Sequence, residues 1–231
     1  DIVLLQPFID ALLYSSLAKG KMIRPFLCLS WGEVLGADRS DCLRIATAIE
    51  LIHVYSLIHD DLPAMDDDDI RRGKLSLHKQ YNEAIAVLAG DALQAKAFEI
   101  IAGVQNKNLA LIVREFAKAI GCNGMVGGQY LDLSFEQQIP DSKSIIYMQQ
   151  LKTGRLIEFA CVSAAILADA KLETKELVKD YARNLGLTFQ IKDDYLDKWG
   201  SEQQLGKAVN KDDMRKKASL IYNLTKTEVE E

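Results

Sequence analysis

The sequence predicts an all-α fold: a single-domain helical bundle over residues 1–231. Three observations carry that expectation. Proline is scarce, with 4 in 231 residues. Ala, Leu, Ile, Glu and Lys recur with helical periodicity over long stretches. No runs of β-branched residues alternate with polar ones in the manner of strands. The hydrophobic share of 48% is ample for a sizeable core and excludes a disordered chain.

Helices are expected at residues 4–18, 23–35, 40–62, 81–103, 108–131, 142–168, 173–198 and 212–226. Short connections with turn or capping residues separate them, such as Gly36-Ala37-Asp38, Gln105-Asn106-Lys107-Asn108 and Ile139-Pro140-Asp141-Ser142. No flexible linker, low-complexity tract or 20–50-residue repeat interrupts the pattern. The segment 43–62 is apolar nearly all round, the mark of a helix in the middle of a bundle. Yet Glu50, His53, Ser56 and Asp60 fall within about 120° of arc on it. Such a stripe needs partners or a wet cavity, because each unpaired buried group costs about 1–3 kcal/mol.

A net charge of −5 argues against a nucleic-acid partner. No uncharged apolar run is long enough to suggest a membrane span. The opening Asp1-Ile2-Val3 has no basic segment leading into an apolar one, so no signal peptide is expected, and without Met the chain reads as trimmed. Cys28, Cys42, Cys122 and Cys161 are too scattered for a CxxC motif and are expected to be buried, reduced thiols of a cytoplasmic protein.

The central helix runs into the most charged segment of the chain, where six aspartates (Asp60, Asp61, Asp66, Asp67, Asp68 and Asp69) fall within ten residues. Like charges this close repel unless a cation neutralises them. Asp66 would lie about 240° round an ideal helix from Asp60. Pro63 breaks the helix between them, so the chain is able to fold Asp66 back toward Asp60. A second cluster is Lys192-Asp193-Asp194-Tyr195-Leu196-Asp197, where Asp193 and Asp197 share a helix face. Two such clusters facing one another suit Mg²⁺, which takes one or two carboxylates together with phosphate oxygens. The spacing fits no EF-hand, and the scatter of Cys and His argues against a zinc centre built from those residues.

A phosphate ligand calls for basic groups. They recur beside turns: Lys21 and Arg24 before Pro25, Arg71-Arg72-Gly73, Lys152-Thr153-Gly154-Arg155 and Gly206-Lys207. His53 lies two turns before Asp60 on nearly the same face, and is placed as a ligand contact. The chain thus offers two kinds of phosphate handle, one through Asp-bound metal and one through Lys and Arg directly.

Taken together, these motifs resemble the trans-isoprenyl diphosphate synthases, and among them the bacterial farnesyl-forming type. Asp60-Asp61-Leu62-Pro63-Ala64-Met65-Asp66 with Arg71-Arg72-Gly73 is similar to the family's first aspartate-rich motif. Phe189-Gln190-Ile191-Lys192-Asp193-Asp194-Tyr195-Leu196-Asp197 is similar to the second. Gly127-Gly128-Gln129-Tyr130-Leu131-Asp132-Leu133 and Lys152-Thr153-Gly154 match two more motifs, so the likeness covers nearly the whole chain. Where the family carries GGKRxRP, this chain reads Lys19-Gly20-Lys21-Met22-Ile23-Arg24-Pro25.

The resemblance implies a bundle around a deep central apolar cavity, a homodimer, and a chain shortened at both ends. It implies a transferase that condenses isopentenyl diphosphate with an allylic diphosphate, dimethylallyl or geranyl, to give farnesyl diphosphate. Asp60, Asp66 and Asp193 would ligate Mg²⁺, Asp61, Asp194 and Asp197 would complete the cage, and Asp132 would support it. Lys21, Arg24, His53 and Arg72 would hold isopentenyl diphosphate. Arg71, Lys152, Thr153, Gln190 and Lys207 would hold the allylic diphosphate, with Arg71, Lys152, Thr153 and Gln190 acting in catalysis. Tyr55, next to Ser56, matches the aromatic stopper that sets chain length. A geranylgeranyl-forming enzyme, a class I terpene cyclase and an inactive partner subunit are the rival readings. The intact second cluster and the Lys/Arg set stand against the cyclase.

Overall fold

The computed structural model describes residues 2–136 and 140–199. Among the described residues, ten α-helices and one hairpin follow one another: α1 (Ile2–Ser16), α2 (Ile23–Leu35), α3 (Arg39–Asp60), β1 (Ile70–Arg71), β2 (Lys74–Leu75), α4 (Leu77–Gln80), α5 (Glu83–Ala102), α6 (Leu109–Ile120), α7 (Met125–Phe135), α8 (Ser142–Gln149), α9 (Arg155–Leu167) and α10 (Leu172–Trp199). A π-helical turn, Gln150–Gly154, joins α8 to α9 without a break. The expected helix at 212–226 lies outside the described residues.

The all-α expectation holds, with α3 at the centre. The Asp38 side chain caps this helix by accepting the Asp41 amide at 2.9 Å. Ile45, Ile49, Ile52 and Ile58 are buried along it, and α2, α5 and α9 pack around it. By length and composition alone α3 would cross a membrane. Its polar stripe instead faces a cavity, and its apolar faces are covered by neighbouring helices. Two close approaches set the spacing. Gly32 of α2 lies against Cys42, and Gly90 of α5 lies against the His59 ring, where a Cβ would overlap the imidazole. His59 Nε2 then reaches the Val87 carbonyl at 3.1 Å. Away from the cavity, Phe116 packs edge-on to Phe98 and tilted to Phe159, with centroids 5.1 and 5.2 Å away.

Four details correct the sequence reading. Residues 108–131 form two helices, because Gly121-Cys122-Asn123-Gly124 ends α6 and turns the chain; a Cβ at Gly124 would strike the Ala119 carbonyl. The segment 142–168 contains the π turn. A hairpin stands where no strand was expected, closed by the two-residue turn Arg72-Gly73 with φ of 51° and 76°. Positive φ at both central residues is the turn that matches strand twist, and glycine adopts it without strain. Cys122 is exposed in the α6–α7 turn, whereas Cys28, Cys42 and Cys161 are buried as expected, and all four are free thiols.

Gly90→Ala is expected to destabilise the protein by about 1–3 kcal/mol, because the added methyl group forces His59 out of its site. Urea unfolding checks this, and an unchanged midpoint would contradict the contact.

Candidate active site

Between α2, α3, α7, the π turn and α10 lies a cavity of about 890 Å³. The chain brings both acidic clusters and most of the basic residues to its walls. At the end of α3, Pro63 and Ala64 lie in a tight turn that closes on itself: the Asp66 amide donates to the Asp60 carbonyl at 2.7 Å, and the Asp68 amide donates to the Asp61 carbonyl at 3.2 Å. Asp60 and Asp66 therefore face the same cavity although an uninterrupted helix would part them. Asp193 and Asp194, from α10, line the cavity too.

Asp61 does not line that cavity. It is 1% exposed and takes two hydrogen bonds from Arg71, at 2.9 Å from Nε and 2.5 Å from Nη2. The same guanidinium donates to Asp68, itself buried, at 3.1 Å. Burial pushes the Asp61 carboxyl up to about 6, and the Arg71 hydrogen bond and charge pull the other way. Arg71 thus ties both ends of the loop, while its side chain still reaches the cavity wall.

Arg72 does the same for α3. It donates to Glu50 at 3.1 Å and to the Ala18 carbonyl at 3.2 Å. Gly20 leaves room for this guanidinium, since a Cβ there would lie 2.8 Å from it. Lys21, Arg24, His53 and Ser56 complete this side of the cavity. Burial pulls the Arg24 guanidinium down, opposed by Glu50 and Asp193, and leaves its Nε without a protein partner. Burial, reinforced by Arg24, Arg72 and Arg71, holds His53 well below the ordinary histidine range. His53 is neutral at pH 7 for that reason, and the surrounding positive charge belongs to the arginines.

The far wall is built on the π turn. Such turns widen a helix by one residue and recur at functional sites. On one side Gly128 of α7 meets the Lys152 backbone, so close that any side chain would overlap it. One helical turn later on α7, the buried Asp132 receives Lys152 Nζ at 2.5 Å. On the other side Gly186 of α10 meets Gly154. One turn after Gly186, Gln190 accepts from the Thr153 hydroxyl at 3.2 Å and donates to Asp194 at 2.8 Å. Gln149 donates to the second oxygen of Asp194 at 3.3 Å.

Tyr55 stands five residues before Asp60 on α3, 6% exposed, on the cavity wall. Its ring meets His59 edge-on, with centroids 5.7 Å apart. Gln94 is near its hydroxyl, but without hydrogen-bonding geometry, and burial raises the phenol above its ordinary range. Apolar side chains of Ile23, Met125, Val126, Met148 and Phe189 share the walls.

Of the residues expected at the site, the cavity gathers all those described except Asp61. The Asp197 side chain and Lys207 lie outside the described residues. The motif reading missed Gln149, whose Oε1 is buried with no protein partner, and gave no role to Gln129, whose Nε2 is likewise unpaired. Both line the cavity, where a ligand or water satisfies such atoms. Gln149 is the last residue of α8, just before the π turn, and reaches Asp194 of α10 from there. Nothing in helical spacing signals it.

The polyprenyl synthetase family model matches residues 6–231. The chain is 44% identical over 216 residues to a farnesyl diphosphate synthase of Geobacillus stearothermophilus, covering 90% of this chain and 72% of that protein. It is 45% identical over 213 residues to geranylgeranyl pyrophosphate synthase 11 of Arabidopsis thaliana, covering 89% of this chain and 60% of that protein. Its fold matches a geranyltransferase from Helicobacter pylori complexed with magnesium and isoprenyl diphosphate, with a TM-score of 0.87 and 29% identity, over 96% of this chain and 76% of that one.

Asp61→Asn is expected to cost about 2–3 kcal/mol in urea unfolding. That is less than the ~3–5 kcal/mol for breaking a wholly buried pair, because Asp68 stays with Arg71. By NMR, the His53 ring of the ligand-free protein is expected not to titrate between about pH 6 and 8, in contrast to an ordinary histidine. A His53 titration in that window would contradict the basic environment described.

Proposed function

The chain belongs to the polyprenyl synthetase family, and from that premise we propose that it condenses isopentenyl diphosphate with dimethylallyl or geranyl diphosphate to give farnesyl diphosphate. The observation that carries this reading is one cavity with two unlike phosphate handles. Asp60, Asp66, Asp193 and Asp194 share it with Lys21, Arg24, Arg72 and Lys152. An acidic-only cavity would bind metal alone, and a basic-only one would need no metal.

The donors fit a hard cation, being carboxylate oxygens of Asp60 and Asp66 after α3 and of Asp193 on α10, all on the wall of one cavity. Asp60, Asp66 and Asp193 are the residues we assign to hold Mg²⁺. When bound, Mg²⁺ would neutralise the diphosphate that leaves the allylic substrate. The chain's own groups do the rest. We assign Lys152 and Arg71, both on the cavity wall, to take up charge developing on that leaving group. Thr153 and Gln190, bound to one another, turn neutral oxygens rather than nucleophilic amines toward an allylic cation. Lys21, Arg24 and Arg72 offer three cations to isopentenyl diphosphate, and neutral His53 offers a hydrogen bond.

In the reaction so assigned the allylic C–O bond breaks with its electron pair on oxygen. The isopentenyl double bond attacks the cation, and a proton leaves to the released diphosphate. With both substrates bound, the apolar side chains of Ile23, Met125, Val126, Met148 and Phe189 would shield the cation from water, which would otherwise trap it. We extend the assignment to a homodimer, on the resemblance of the motifs.

Product length rests on Tyr55. The farnesyl relative and the geranylgeranyl relative match this chain about equally, so identity does not choose between them. A buried ring on the cavity wall, five residues before Asp60, favours the shorter product.

Incubation with Mg²⁺, isopentenyl diphosphate and dimethylallyl diphosphate is expected to give a fifteen-carbon diphosphate by mass spectrometry, and none with EDTA. Tyr55→Ala is expected to shift the main product to twenty carbons or more. A twenty-carbon product from the unaltered protein would overturn the assignment of Tyr55, and no product from folded protein would overturn the condensation itself.

A further inference from the structure

The aspartate-rich loop has an outer face that the cavity does not use. Asp67 and Asp69 are exposed on either side of the buried Asp68, which turns inward to Arg71. Asp67 has φ of 44°, a left-handed conformation that Asp tolerates. The Ser76 amide clips the Asp69 carbonyl at 2.8 Å and so holds the loop against the start of α4. From α4, His78 comes up beneath both carboxylates. One oxygen of Asp67, one of Asp69 and a ring nitrogen of His78 lie within 4.8 Å of one another.

His78 is the informative member. It is 7% exposed, and its Nε2 is buried with no hydrogen-bond partner. Asp67 Oδ1 stands 4.0 Å from that nitrogen, too far for a hydrogen bond but the right side for a shared ligand. The other nitrogen, Nδ1, is 3.1 Å from the Ser76 hydroxyl. With the Nδ1 proton given to Ser76, the Nε2 lone pair points at the carboxylates. An imidazole oriented through its second nitrogen is the usual form of a metal-binding histidine. Lys79 Nζ lies 3.0 Å from Asp69 and 4.0 Å from Asp67, so one ammonium answers two carboxylates. Its side chain is 40% exposed and is free to swing into solvent when another cation enters.

We propose that Asp67, Asp69 and His78 form a binding site for one divalent transition-metal cation of the Zn²⁺ or Co²⁺ type, on the outer face of the loop and separate from the cavity. Two carboxylates and an imidazole suit such ions, whereas Mg²⁺ prefers oxygen alone. An ion there ties the loop to α4 and so fixes the segment between Asp66 and Arg71 from outside. This inference does not depend on the chain's condensing activity.

Co²⁺ is the probe, added to the full chain with Asp60→Asn and Asp193→Asn so that the cavity carboxylates do not compete. The expected result is one Co²⁺ per chain with a visible absorption band, displaced by Zn²⁺ and not by excess Mg²⁺. Asp69→Asn, an exposed change that leaves the fold intact, should abolish the band, as should His78→Ala. Ser76→Ala should weaken binding by about 10–100-fold. No bound Co²⁺, a band that survives Asp69→Asn, or displacement by Mg²⁺ as readily as by Zn²⁺ would each overturn the proposal.

Discussion

Carboxylates that converge on one cavity repel one another, and the whole site depends on how that repulsion is absorbed. The chain does it by giving particular acids an internal partner. Arg71 takes Asp61 and Asp68, Arg72 takes Glu50, Lys152 takes Asp132, and two glutamines take Asp194. These ties fix the geometry in which Asp60, Asp66 and Asp193 line the cavity. The Arg71-Arg72 pair is therefore an internal brace as well as part of the cavity wall. Its position after the loop, on a hairpin turned by Arg72-Gly73, lets two adjacent guanidiniums reach different parts of α3, Arg71 the C-cap residue Asp61 and Arg72 Glu50 in the middle of the helix.

The second constraint is backbone proximity. Gly128 and Gly186 press α7 and α10 onto the two sides of the π turn. Each glycine contact lies one turn before a polar side chain on the cavity wall, Asp132 in one helix and Gln190 in the other. The motifs that contain glycine thus have a steric reason that can be read residue by residue. The glycines bring the helices in, and the polar residues one turn later meet across the gap.

Much of this was legible in the sequence. The polar stripe of Glu50, His53, Ser56 and Asp60 on an otherwise apolar helix pointed to a wet cavity. Pro63 pointed to the fold-back of Asp66, and the Asp66–Asp60 backbone bond realises it. The part that was not legible has two physical causes. Helical periodicity takes 3.6 residues per turn throughout, so the π turn, and with it Gln149, left no trace in the pattern. Spacing also counts an aspartate as a site residue without saying where its side chain is spent. Asp61 reads as one of the acidic cluster, yet its carboxylate lies buried against an arginine ten residues on, a contact that only the hairpin creates.

The central claim is that one cavity holds two diphosphates by different means. It is tested most directly by calorimetric titration of isopentenyl diphosphate, and separately of an allylic diphosphate analogue that does not ionise, each with Mg²⁺ and with EDTA. The account predicts that isopentenyl diphosphate binds in both conditions, while the allylic analogue binds with Mg²⁺ and loses its affinity in EDTA. Equal dependence of the two ligands on Mg²⁺, or equal independence, would contradict it.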